Sequence, residues 1–231
     1  MKETATYQYQ IAISRVYFTI ASILAIAELL EAKSVIYIFK PTLIPVLILL
    51  YLYTSKVRNT IYVLSLLFGL VSNISFMFTA ENMVIYGFVS FMIHRMICIY
   101  IVVRLIKKFF LLPFIVATLP FLFIFSCLLN LTLSPDAAEF FPAAINAVLI
   151  SALSGLALSN YVMEDNKTNS WLAISTLLFI VLIFLFMFQK YYITNVVFQP
   201  ISALIFAFGH YAFYKFVIES EKPAEKEIRL Q

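Results

Sequence analysis

A carboxylate and an ammonium group stand twelve residues apart at Glu28 and Lys40, each near the same end of an apolar stretch. Either charge is costly in lipid unless it faces a cavity or water. A Glu28–Lys40 pair would lower the cost of both; separate snorkelling to the headgroups is the alternative. Arg95 lies midway along another apolar run, beside His94. A guanidinium there can hold phosphate or carboxylate with its forked donors, or act structurally against carbonyls and amides. His210, in the last apolar run, can carry a proton or bond between helices. Asn73 and Asn160 each end a Ser-Asn pair late in an apolar run, in the stretches Gly69–Asn73 and Gly155–Asn160. Amides in such places serve most simply as interhelical bonds worth about 0.6–2 kcal/mol. Cys98 and Cys127 fall inside apolar runs and read as small buried residues. No Cys/His metal spacing, glycine-rich phosphate loop or GxSxG elbow occurs, so neither a metal nor a cofactor is expected.

The elements that must position these groups are membrane helices. The chain is 63% hydrophobic, 17% aromatic and 12% charged, with a mean hydropathy of +0.98. Soluble domains carry roughly 25% charged residues, so this apolar surface requires lipid as its solvent. Eight apolar segments can be marked: 11–30, 35–53, 61–78, 84–103, 109–131, 142–162, 171–188 and 193–218. Each reaches, or nearly reaches, the roughly 20 residues needed to cross a bilayer. Continuous apolar runs without two-residue alternation argue against a membrane barrel. The expected fold is therefore all-α, a polytopic transmembrane bundle of about eight spans in residues 1–218. A charged, disordered tail is expected over residues 219–231.

Orientation follows from the basic residues. With the N-terminus in the cytoplasm, twelve lysines and arginines fall on that side and only Lys33, Lys40 and Lys190 on the other. The positive-inside bias thus places both termini in the cytoplasm, as an even number of spans requires. The polar start of the chain and the absence of a small-residue cleavage site read as an uncleaved first span in the cell membrane. The formal charge of +4 sits beside apolar segments, so lipid headgroups rather than nucleic acid are the expected partners. Pro41, Pro45, Pro113, Pro120 and Pro200 fall within spans, where each can kink a helix around a cavity.

Several short stretches carry a resemblance in their order and spacing. These are Lys40-Pro41-Thr42-Leu43-Ile44-Pro45 with Glu28 before it, Leu66 to Asn73, Gly87 with Phe91, Leu153 to Asn160, and Phe198-Gln199. From about Glu28 to His210 the chain resembles the YhhN-like, or lysoplasmalogenase, family of multispan membrane proteins. The resemblance implies hydrolysis of the vinyl-ether bond of lysoplasmalogens, releasing a fatty aldehyde and a glycerophospho-base. It also implies a lysophospholipid substrate, with Asn73, Asn160, Glu28 and His210 as catalytic positions and Lys40, Arg95 and Gln199 as substrate contacts. Two departures stand out. The family aspartates fall on Asn73 and Asn160, and an asparagine cannot exchange a proton. The family histidine falls on Arg95, with His94 one residue early and turned by about 100°. A non-catalytic lipid-binding or transport protein of the same fold is the alternative, and a structural membrane subunit a third. Counting along the spans puts Asn73 and Asn160 about 10–15 Å apart in depth, in tension with one shared site.

Overall fold

A computed structural model of the chain describes residues 2–78, 80–106, 108–191 and 197–228, with side chains described between Gln8 and Lys222 of that set. The described residues form eight helices and no strands: α1 (Lys2–Leu29), α2 (Lys33–Thr54), α3 (Thr60–Ser75), α4 (Glu81–Leu105), α5 (Leu111–Thr132), α6 (Phe140–Met163), α7 (Lys167–Tyr191) and α8 (Phe198–Ile228). All but α3 are long and apolar enough to cross a membrane. At 16 residues α3 spans only about 24 Å, short of a hydrocarbon layer of about 30 Å. It ends at Ser75 although Phe76, Met77 and Phe78 continue the apolar run. Phe76 turns inward instead, with its ring centroid 5.3 Å from that of Phe88 and 4.7 Å from that of Phe186. The start of the eighth apolar segment at Ile193 lies outside the described residues, as do the side chains of Lys2, Lys107, Lys226 and Arg229.

Consecutive helices pair as hairpins, α1 with α2, α3 with α4, α5 with α6 and α7 with α8. The hairpins close into a ring in which neighbours run α1, α2, α3, α4, α6, α7, α8 and back to α1, while α5 packs outside against α6 and α7. Cys127, on this outlying helix, is exposed rather than buried; Cys98 on α4 is buried as expected. A stripe of small residues on α6, Ala143, Ala147, Ser151, Gly155 and Ser159, repeats every four residues and so lies on one helix face. Such stripes let backbones approach closely, and Gly155 meets α5 at Thr118.

The turn between α1 and α2 is built with three residues. Glu31 adopts φ 52°, Ala32 N donates to the Ala27 carbonyl at 2.9 Å and Glu31 N to the Glu28 carbonyl at 3.3 Å. This pattern closes a helix by satisfying its last carbonyls. Pro113 and Pro200 occupy first turns of α5 and α8, where no helical donor is lost, so of the five prolines marked within spans Pro41, Pro45 and Pro120 stand in helix interiors.

At the end of the bundle that carries the termini, α8 continues past Ile218 to Ile228. Glu221 is 5% exposed and accepts hydrogen bonds from the Tyr51 hydroxyl at 2.7 Å and the Ser55 hydroxyl at 2.6 Å. Glu219 pairs with Lys167 at 3.2 Å. Residues 219–222 therefore belong to the packed bundle, not to a disordered tail, because a buried carboxylate with two hydroxyl donors ties α8 to the end of α2. Residues 229–231 lie outside the described residues.

Candidate functional site

A cavity of about 480 Å³ occupies the opposite end of the ring, where α1, α3, α5 and α7 end and α2, α4, α6 and α8 begin. That volume suits a small amphiphile. One wall is charged. The tight α1–α2 turn sets Glu28 and Lys40 side by side, and Lys40 Nζ donates to Glu28 Oε1 at 3.2 Å. The pair, not separate snorkelling, accounts for both charges. Asn73, two residues before the end of α3, donates from Nδ2 to the Lys40 carbonyl at 3.3 Å and fixes α3 to this wall.

Arg95 forms the facing wall. It is 3% exposed and fourteen residues into α4, yet its guanidinium lies much closer to the helix ends. A helical side chain leans toward the N-terminus of its helix. Here it leans far enough for Nη1 to donate to the Asn146 carbonyl at 2.8 Å and to Asn146 Oδ1 at 3.1 Å. Asn146 is six residues from the start of α6, which places the charge about 10 Å below that end. The Asn146 amide in turn donates to the carbonyls of Phe88 at 2.9 Å and Pro142 at 3.0 Å, so one residue locks Arg95, α4 and α6 together. The guanidinium carbon sits 4.1 Å from the Phe91 ring centroid, a cation–π contact. Among the described residues no carboxylate pairs with Arg95, and its other N–H groups meet no protein acceptor.

The third wall comes from α7 and α8. Gln189, Lys190, Gln199 and Ser202 contribute its polar part, and Leu182, Ile183, Phe186 and Phe206 its apolar part. The Gln189 amide nitrogen and the Ser202 hydroxyl are buried and have no partner among the described residues. Lys190 Nζ rests 5.9 Å from the Phe186 ring centroid and 5.5 Å from that of Tyr191.

Of the seven positions singled out by sequence, five line this cavity: Glu28, Lys40, Asn73, Arg95 and Gln199. Asn160 does not. It stands three residues before the end of α6, at the terminus-bearing end of the bundle, 2% exposed. Its amide donates to its own helix at the Leu156 carbonyl, 2.8 Å away, and its carbonyl accepts from Asn169 at 3.2 Å. Because α3 and α6 run in opposite directions, two residues late in each helix must lie at opposite ends. His210 is also outside the cavity. It is buried one turn beneath Phe206, with ring centroids 4.4 Å apart, and 5.6 Å from the ring of His94. Its Nε2 has no partner among the described residues. His94 Nδ1 lies 2.7 Å from the Ser65 carbonyl, which can only accept, so this nitrogen carries the proton. Sequence reasoning passed over Asn146, Gln189 and Ser202. An amide within an apolar span, as at Asn146, was the available signal.

A model of the YhhN family matches residues 35–218. The chain belongs to the YhhN family. Most of the cavity thus falls within the YhhN match, including Lys40, Asn73, Arg95 and Gln199, while Glu28 precedes it. No curated protein and no solved structure matches this YhhN chain.

Proposed function

We propose that this YhhN protein is a cell-membrane hydrolase of ether lysophospholipids that acts on the vinyl-ether bond of a lysoplasmalogen held in the cavity. The observation that carries the reading is a single cavity with an apolar aromatic wall, an uncompensated guanidinium at Arg95 and one carboxyl group, Glu28, among its lining residues. Arg95 takes the phosphate with its free donors. In its protonated form Glu28 supplies a proton to the outer carbon of the vinyl group, and water adds to the carbon bonded to oxygen and returns a proton to the Glu28 carboxylate. The hemiacetal then collapses to a fatty aldehyde and a glycerophospho-base. Lys40 holds the Glu28 carboxyl group in place, and Asn73 braces Lys40 through its carbonyl.

The test is release of aldehyde from a 1-alkenyl lysophospholipid by purified protein, with a 1-acyl lysophospholipid as control. Turnover of the alkenyl lipid alone is expected. A second reading, a lipid-binding protein without catalysis, is favoured by one specific observation: an asparagine stands at 73, beside the Glu28–Lys40 pair. Co-purified lysolipid with no turnover would establish that reading instead. Asn73→Asp adds a proton-exchanging group to the cavity and is expected to raise turnover by about tenfold or more. Asn160→Asp, at the far end of the bundle, is expected to leave the rate per folded molecule unchanged. Equal effects of the two substitutions on that rate would argue against this site.

The charge bias supports cytoplasmic termini, so the cavity opens on the opposite side. Glu31→Cys, in the α1–α2 turn, is expected to react with a membrane-impermeant maleimide in intact cells. Arg58→Cys, in the exposed link before α3, is expected to react only after permeabilisation. The reverse pattern would invert the topology.

A further inference from the structure

We infer that the cavity selects amphiphiles whose headgroup carries net negative charge, such as a phosphate monoester, over zwitterionic headgroups of the same chain length. The inference rests on the reading that the cavity holds a single-chain phospholipid, and it ranks such lipids by headgroup charge, with a zwitterionic lysoplasmalogen a weaker ligand than an anionic one.

Charge balance is the first observation. The lining residues include three cations, Lys40, Arg95 and Lys190, against one carboxylate, Glu28. Glu28 is already engaged by Lys40 at 3.2 Å. Nearby, Glu139 accepts from the Tyr191 hydroxyl at 3.5 Å and attracts Lys190 electrostatically from outside the lining residues. Lys190 is attracted by Glu139, so the positive charge that faces the cavity without a counter-charge among the described residues is Arg95, on a residue only 3% exposed. A zwitterion brings its own cation and leaves that surplus in place. A phosphate monoester neutralises it.

Hydrogen-bonding capacity is the second observation. Arg95 has donors with no protein acceptor, and the Gln189 amide nitrogen and Ser202 hydroxyl lack partners among the described residues. The Gln189 nitrogen and Ser202 oxygen are covered by protein atoms, so the donors open to a ligand are those of Arg95, while the one lining carboxylate is spoken for. Ionised phosphate oxygens accept, whereas a headgroup ammonium offers no acceptor, whether it donates as in ethanolamine or is quaternary as in choline, and Glu28 is its single charged partner among the lining residues.

The experiment is equilibrium binding to purified full-length protein in detergent. The probes are a single-chain glycerol phosphate monoester, a phosphocholine lysolipid of the same chain, the matching uncharged monoglyceride, glycerol 3-phosphate and inorganic phosphate. The monoester is expected to bind about tenfold to a hundredfold more tightly than the phosphocholine lipid. Arg95→Gln is expected to remove most of that preference while leaving monoglyceride binding intact, and that intact binding also reports folding. Should Arg95→Gln fail to fold, Lys190→Gln at the rim is expected to lower the same preference by a smaller factor. Equal affinity for monoester and phosphocholine lipids overturns the charge inference and leaves the lysolipid reading standing. Binding of glycerol 3-phosphate or phosphate as tightly as the monoester overturns the lysolipid reading, because the chain then contributes nothing. Failure of every probe overturns both.

Discussion

Glu28→Gln is expected to lower aldehyde release by about 10²–10⁴-fold while leaving the affinity for lysolipid within a few-fold of wild type. The substitution keeps shape and hydrogen bonding but removes proton exchange. No other carboxyl group is among the cavity's lining residues, so no neighbour can take over the role. The change also strips Lys40 of its partner, 3.2 Å away. Lys40 is partly exposed, with a quarter of its side chain accessible, so its charge can still reach water and the fold should survive. Glu28→Gln therefore separates chemistry from binding. A combined Glu28→Gln, Lys40→Met variant should bind lysolipid and also fail to turn it over. Undiminished turnover in Glu28→Gln would exclude the proposed proton carrier and return attention to His210 beneath the floor.

Gly155→Ala is expected to be the most damaging single methyl in the described bundle. A Cβ at that position would lie 1.9 Å from Thr118 Oγ1, 2.9 Å from Thr118 Cβ and 3.1 Å from Thr118 Cα. The last of these is backbone, so no rotamer of Thr118 relieves the overlap, and α5 must move away from α6. Overpacking of this kind costs about 1–3 kcal/mol and sometimes more. The effect should appear as a lower melting temperature in detergent and as earlier protease cleavage around α5. Thr118→Ala removes the nearest atom and should recover part of the loss in the double variant, whereas Thr118→Val should not. The Gly155 site lies away from the cavity lining, so turnover per folded molecule should be preserved. Full stability of Gly155→Ala would mean that α5 and α6 pack less closely than described.

The sequence exposed the helices well because lipid leaves few alternatives. Seven of the eight apolar segments became helices long enough to cross a membrane, five with ends within four residues of those expected, while α1 begins nine residues early and α8 runs ten residues past Ile218, since a membrane-crossing backbone must bond to itself. The exception, α3, stopped early because aromatic packing of Phe76 replaced another helical turn, and hydropathy does not register such a choice. The Glu28–Lys40 pair was legible for the same reason as the helices, two charges at equal depth having few other partners. Asn160 was assigned to the site by resemblance alone. Residue counting separates it from Asn73 by about 10–15 Å in depth, and the antiparallel course of α3 and α6 puts the two at opposite ends of the bundle, farther apart than the count. Asn146 and Ser202 stayed hidden because their direction depends on the ring order of the helices, with α6 beside α4 and α5 displaced. Nothing in a single apolar stretch states which neighbour it will face.

The hairpin order also bears on how the chain is made. Glu28 and Lys40 both belong to the first hairpin, so their charges can neutralise each other as soon as two helices have left the translocation machinery. Arg95 has no such companion in its own hairpin. Its acceptors are on Asn146 of the third, and until α6 arrives a bare guanidinium must be sheltered by water or a chaperone. Biogenesis of this protein is thus most vulnerable in the interval between synthesis of residue 95 and synthesis of residue 146.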